Sequence, residues 1–128
     1  MAKIILVDDD ELVLKSVAML LKNEGHEVTV FSDGRLAKET LQKEKYDLMV
    51  ADIRMEPMSG IELLGYSREH HPDMPCIVIS ACNTEQNIAD CNRLGCVAFF
   101  CKPFDPTAFI AAVHQALAPP LRDAGPPA

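Results

Sequence analysis

Short apolar runs alternate along this chain with stretches whose apolar positions recur every three or four residues. Lys3-Ile-Ile-Leu-Val7 reads as a buried strand by its length and branching. Leu14, Val17, Ala18 and Leu21 then recur at helical spacing, and Gly25 stops that helix. Val28-Thr-Val-Phe31 predicts a second strand, and Leu36, Ala37 and Leu41 share one face of a second helix. Leu48-Met-Val-Ala51 predicts a third strand ending at Asp52. Ser59-Gly-Ile-Glu62 has capping-box spacing and opens a third helix. Cys76-Ile-Val-Ile79 predicts a fourth strand, followed by a helix with Ile88, Cys91 and Leu94 facing inward and Gly95 at its end. Val97-Ala-Phe-Phe100 predicts a fifth strand. Asp105 caps a last helix with Pro106 at its first position, lined by Ile110, Val113 and Leu117. Five strands alternating with five helices predict an α/β protein whose parallel sheet is covered on both faces.

At 128 residues the chain holds one domain, placed at residues 1–118, and a linker-like tail at 119–128 whose prolines leave nothing to bury. Twelve basic against nineteen acidic residues give a net charge of −7, which argues against direct binding of nucleic acid or an anionic membrane. No apolar run nears the roughly 20 residues of a membrane span, and the N-terminus does not read as a signal peptide. The five cysteines include no C-x-x-C pair. They read as small buried thiols of a reducing cytoplasm, neither a disulfide framework nor a zinc site. Met49, Met55, Met58 and Met74 read as packing, and His26, His70, His71 and His114 as turn, surface or helix residues away from any site.

In an open parallel sheet, sites form beyond the carboxyl ends of the strands. The first strand ends in Asp8, Asp9 and Asp10, the third in Asp52, the fourth in Ser80, and the fifth just before Lys102. Taken singly, these have ordinary explanations. Asp10 is a helix N-cap, a serine after a strand is a turn residue, and a lysine there is a solvated charge. Taken together, they gather acids, a hydroxyl and an ammonium at one edge. Two carboxylates roughly 5 Å apart repel by about 3 kcal/mol at an effective dielectric of about 20. Three of them need a cation or must take up protons. Hard oxygen donors in small number suit Mg²⁺, which keeps waters and accepts a phosphate oxygen. Lys102 and Ser80 complete a pocket for a phosphoryl group, with Asp52 as its nucleophile.

The ordered set Ile4-Ile-Leu-Val-Asp-Asp-Asp-Glu11, Tyr46-Asp-Leu-Met-Val-Ala-Asp-Ile-Arg-Met55, Met58-Ser-Gly60, Ile77-Val-Ile-Ser-Ala81 and Phe100-Cys-Lys-Pro-Phe104 resembles the receiver domains of two-component response regulators. The resemblance runs from about Lys3 to Leu117. It implies a (βα)5 doubly wound five-stranded parallel sheet with the flavodoxin-like order 2-1-3-4-5. It implies that Asp52 accepts phosphate from a histidine kinase, a phosphotransfer protein or a small phosphodonor. It assigns Mg²⁺ to Asp8, Asp9, Asp52 and the main-chain carbonyl of Arg54. It makes Ser80 and Lys102 the phosphate-contacting hydroxyl and ammonium, with Lys102-Pro103 usually cis. Ser80 and Phe99 become the switch pair. Output passes to an effector domain or downstream protein, and the module is a signalling domain and not an enzyme.

Departures from the family pattern are also visible. Glu56 separates Met55 from Pro57, where the family usually places proline directly after the methionine. Arg54 and Cys82 occupy the positions that flank the phosphate, and Phe99 has no phenolic hydroxyl. The last strand lacks the acidic pair that many dimerising receivers carry, which lowers the expectation of a homodimer on phosphorylation. An unphosphorylated interaction module on the same fold is the alternative. A phosphatase would want a second acid two residues after Asp52, where Arg54 stands. A flavin protein would want a phosphate loop where three acids stand, and no Walker loop exists for ATP.

Overall fold

The computed structural model describes residues 2–53, 58–81 and 85–118. Strands β1 (Lys3–Val7), β2 (Glu27–Phe31), β3 (Leu48–Asp52), β4 (Cys76–Ser80) and β5 (Ala98–Cys101) alternate with five helices. The helices are α1 (Glu11–Asn23), α2 (Gly34–Leu41), α3 (Gly60–His70), α4 (Glu85–Arg93) and α5 (Pro106–Leu117). The strands form one parallel sheet in the order β2-β1-β3-β4-β5, the doubly wound arrangement that the alternation predicts. No helix among the described residues is long and apolar enough to cross a membrane.

Strand parity divides the core. Ile5, Val7, Met49, Ala51, Cys76 and Val78 face α2, α3 and α4, meeting Ala37, Leu41, Leu63, Leu64 and Cys91. Ile4, Leu6, Leu48, Val50, Ile77 and Ile79 face α1 and α5, meeting Leu14, Val17, Leu21, Phe109 and Val113. β1, β3 and β4 lie inside the sheet, and β3 and β4 are buried along their whole length. β2 is an edge strand and half-exposed, because only β1 hydrogen-bonds to it.

Helix ends follow local chemistry. Asp10 caps α1, accepting from the Leu12 and Val13 amides. Ser59 and Glu62 form the reciprocal capping box expected for α3. Asp105 caps α5, with Pro106 at its first turn. Gly25 and Gly95 adopt positive φ after α1 and α4.

Two inward positions differ from expectation, and one buried residue, Phe109, was not among those expected. Leu36 is 51% exposed while its neighbour Ala37 is fully buried, and Ile88 is 40% exposed while Cys91 carries the contact of α4. In α5 it is Phe109, with Val113, that is fully buried, and Ile110 is only half-buried. The Phe109 ring lies 5.7 Å from that of Phe100 and 5.1 Å from that of Phe104, centroid to centroid. His71 is no bare surface residue, for its Nε2 sits 2.8 Å from the Leu41 carbonyl oxygen. Met49, Met58 and Met74 are packing residues, as expected.

Candidate functional site

The parity that sorts the core also builds the site. Asp8 continues the row of Ile4 and Leu6, Asp52 that of Leu48 and Val50, and Lys102 that of Ala98 and Phe100. In register, β1 runs beside β3 with Leu6 opposite Val50 and Val7 opposite Ala51. One residue further, Asp8 and Asp52 therefore emerge side by side on the α1/α5 side of the sheet. Ser80 continues the row of Cys76 and Val78, so it approaches from the α3/α4 side.

The Lys102 ammonium stands between the two acids. Its Nζ is 2.9 Å from Asp52 Oδ2 and 2.8 Å from Asp8 Oδ2. The first contact is an aligned hydrogen bond. The second is an ion pair out of line for one, which leaves Asp8 Oδ2 a buried oxygen with no aligned donor. The other Asp8 oxygen accepts from the Asp10 amide at 2.9 Å. Asp8 is fully buried and Asp52 nearly so, while Asp9 is exposed. One carboxylate oxygen from each of the three lies within 4.8 Å of the others.

Burial pushes the Asp8 carboxyl above its ordinary range, and the charge of Asp52 adds to the effect. Lys102 and the Asp10 amide pull it the other way without prevailing. Burial also disfavours the charged form of Lys102. Its contacts with Asp8 and Asp52 outweigh that, and its ammonium is held above the usual lysine range. Among the described residues one cation faces three acids, which leaves their negative charge uncompensated.

The residues fit a hard divalent cation. Among the described residues the donors are carboxylate oxygens, one of them buried without an aligned donor, and a small set of protein ligands suits an ion that keeps its own waters.

Ser80 is fully buried at the end of β4, and its carbonyl accepts from the Lys102 amide at 2.7 Å. The Lys102-Pro103 bond is cis. Phe99 is half-buried on β5 opposite Val78, packed against the α2/α3/α4 core on the same face of the sheet as Ser80. It stands apart from the acids. Arg54, Met55, Glu56, Pro57, Cys82 and the tail from Pro119 lie outside the described residues. Sequence reasoning missed Gly60, which presses on the Asp52 backbone and donates its amide to the Ile53 carbonyl at 3.0 Å. A glycine directly after an N-cap serine was the available signal.

Residues 4–114 match the family model described as the response regulator receiver domain. The chain belongs to that family. The receiver is 33% identical over 116 residues to the transcriptional regulatory protein GlrR of Escherichia coli (strain K12), a match covering 91% of this chain and 26% of GlrR. It is 30% identical over 121 residues to the DNA-binding transcriptional regulator NtrC of Rhizobium meliloti (strain 1021), covering 94% of this chain and 25% of NtrC. The receiver thus spans about a quarter of the length of these relatives. Among solved structures, a CheY-like receiver domain protein from Methanospirillum hungatei JF-1 superposes with a TM-score of 0.87 at 26% identity, covering 91% of this chain and 94% of that one. The chemotaxis protein CheY4 of Vibrio cholerae superposes at 0.84 and 26% identity, covering 91% and 99%.

Proposed function

We propose that this receiver accepts a phosphoryl group on Asp52 and signals through the resulting change in its surface. The observation that carries the reading is the Lys102 ammonium bridging Asp8 and Asp52 beside Asp9. Asp8, Asp9 and Asp52, with the Arg54 carbonyl, would hold Mg²⁺. When bound, the ion supplies positive charge for the oxygens of the transferring group.

The Asp52 carboxylate oxygen attacks phosphorus. The bond to the donor breaks, at nitrogen if the donor is a phosphohistidine, and an acyl phosphate remains. Lys102 is already seated on Asp52 and moves its contact onto the phosphoryl oxygens, neutralising charge as it develops. The Ser80 hydroxyl bonds the phosphate from the opposite side of the sheet. Its movement opens space that the Phe99 ring fills by packing alone, since the ring has no hydroxyl. That bistable pair biases the surface of α4, β5 and α5. The phosphodonor is a histidine kinase or phosphotransfer protein, and the reader is an effector domain or a separate protein.

Incubation with acetyl phosphate and Mg²⁺, followed by intact mass, tests the reading. One phosphoryl adduct is expected, lost in Asp52→Asn and strongly reduced in Asp9→Asn or with chelator. An adduct that survives in Asp52→Asn would overturn it. Absence of any adduct, with partner binding unaffected by Asp52→Asn, would favour the unphosphorylated interaction module.

A further inference from the structure

The cysteines of the second half of the chain are not used by the phosphoryl chemistry, yet three of them meet at one place. Cys76 begins β4, Cys91 is the fully buried side chain of α4, and half-buried Cys96 lies between α4 and β5. The turn between the last two has a defined geometry. The Cys96 amide donates to the Cys91 carbonyl at 2.9 Å, the Gly95 amide to the Asn92 carbonyl at 3.2 Å, and Gly95 has φ +76°. These are the paired hydrogen bonds of a Schellman motif, whose third-from-last helical residue and second residue past the cap bring their side chains into contact. Here those two side chains are Cys91 and Cys96, and the two thiols lie close enough to perturb one another.

A cation stands beside them. Arg68 of α3 lies within charge range of Cys76 and Cys96, favouring the thiolate of each. Its guanidinium reaches the His71 carbonyl at 3.4 Å, the Met74 carbonyl, and Cys76 Sγ at 3.9 Å. Its buried Nε has no hydrogen-bond partner, and among the described residues no carboxylate pairs with it. A guanidinium without a carboxylate is the surrounding in which a sulfur anion is stabilised.

We propose that Cys91 and Cys96 form a reversible disulfide when the protein meets hydrogen peroxide, fastening the end of α4 to the start of β5. Cys96 loses its proton first, being the more exposed of the two. Its thiolate attacks a peroxide oxygen, the O–O bond breaks, and a sulfenic acid forms as water leaves. The Cys91 sulfur then attacks the sulfenic sulfur, the S–O bond breaks, and a second water leaves. Two electrons pass from the sulfur pair to the peroxide. Burial keeps the seated pair protonated, at about 12 for Cys91 and about 11 for Cys96. Reaction therefore follows local opening of α4, a helix fixed by Cys91 as its one fully buried residue. The proposal does not depend on phosphorylation of Asp52.

The test exposes the full chain, without Mg²⁺ or phosphodonor, to hydrogen peroxide until a glutathione control is consumed. Remaining thiols are then alkylated in denaturant and the protein is digested with trypsin. Arg93 lies between the two cysteines, so a Cys91–Cys96 bridge appears as two peptides joined and separated again by dithiothreitol, with Cys76, Cys82 and Cys101 of those peptides alkylated in the fragment spectra. That product is expected from wild type and from Cys101→Ser, and is expected to vanish in Cys96→Ala. Alkylated Cys91 and Cys96 in the peroxide-treated wild type would overturn the proposal. So would either cysteine bridged elsewhere or carried to sulfinic acid. The wild-type peptide map decides even if a variant fails to fold.

Discussion

Gly60 lies against the backbone of Asp52 so closely that one added carbon has no room. A Cβ there would fall inside the van der Waals shell of the Asp52 carbonyl and 2.6 Å from the Ile53 Cα. The first residue of α3 thereby sets how far the end of β3 extends toward the acids.

Gly60→Ala is predicted to lower stability by about 1–3 kcal/mol, the usual range for overpacking against a backbone that cannot yield. Denaturant unfolding checks it. Gly65→Ala is the control, because nothing lies within 4 Å of a Cβ at that position. Equal midpoints for the two variants would remove the steric account.

The metal-free acid cluster predicts a pH dependence. The folded state holds the Asp8 proton more tightly than the unfolded chain does. Stability from this group is therefore fully present below the unfolded value and lost as pH rises through the folded one. Asp8→Asn abolishes that loss. Without divalent ions it is predicted to be more stable than wild type near neutral pH, because a neutral side chain avoids the cost of burying the charge and, secondarily, the repulsion from Asp52. The gap should close as pH falls from neutral toward the ordinary carboxylate range. Unfolding curves at several pH values measure it, and a gap that widens on acidification would reverse the sign.

The acids and Lys102 were legible in the sequence because a parallel sheet collects its strand ends at one edge, and the apolar runs mark those ends. Strand parity then separates Asp8, Asp52 and Lys102 from Ser80. Helix faces were less legible. α2 has 8 residues and α4 has 9, about two turns each, so few apolar positions fix their rotation. Leu36 and Ala37 are neighbours about 100° apart on the helix, and packing chose the smaller one. Phe109 and Ile110 are likewise neighbours on α5, and there packing chose the larger one. The Gly60 contact and the Cys91–Cys96 pairing depend on tertiary approach and on a turn type, neither of which periodicity encodes.

Phe109 closes the α5 side of the core against the rings of Phe100 and Phe104. Phe109→Ala is predicted to cost about 3–5 kcal/mol, while Leu36→Ala on the exposed face of α2 stays within about 0.5 kcal/mol. Thermal or denaturant unfolding separates them. Similar losses would mean that the rotation of α2 or α5 is misassigned.

Cys76 is buried at the start of β4, and burial pushes its thiol up to about 11 from an ordinary 9.0. Its thiolate fraction at pH 8 falls accordingly, and alkylation in the native protein is predicted to be at least about 100-fold slower than in denaturant. Timed iodoacetamide labelling with peptide mapping measures this. Equal rates in the two conditions would contradict the burial.

The central claim is that Asp52 is the carboxylate charged with phosphorus. Borohydride reduction of the protein after treatment with acetyl phosphate and Mg²⁺ tests it most directly, because an acyl phosphate is reduced and a free carboxylate is not. The account predicts homoserine in place of aspartate at position 52, dependent on Mg²⁺. Homoserine at Asp8 or Asp9, or at no aspartate in a sample that carries the phosphoryl mass, would contradict it.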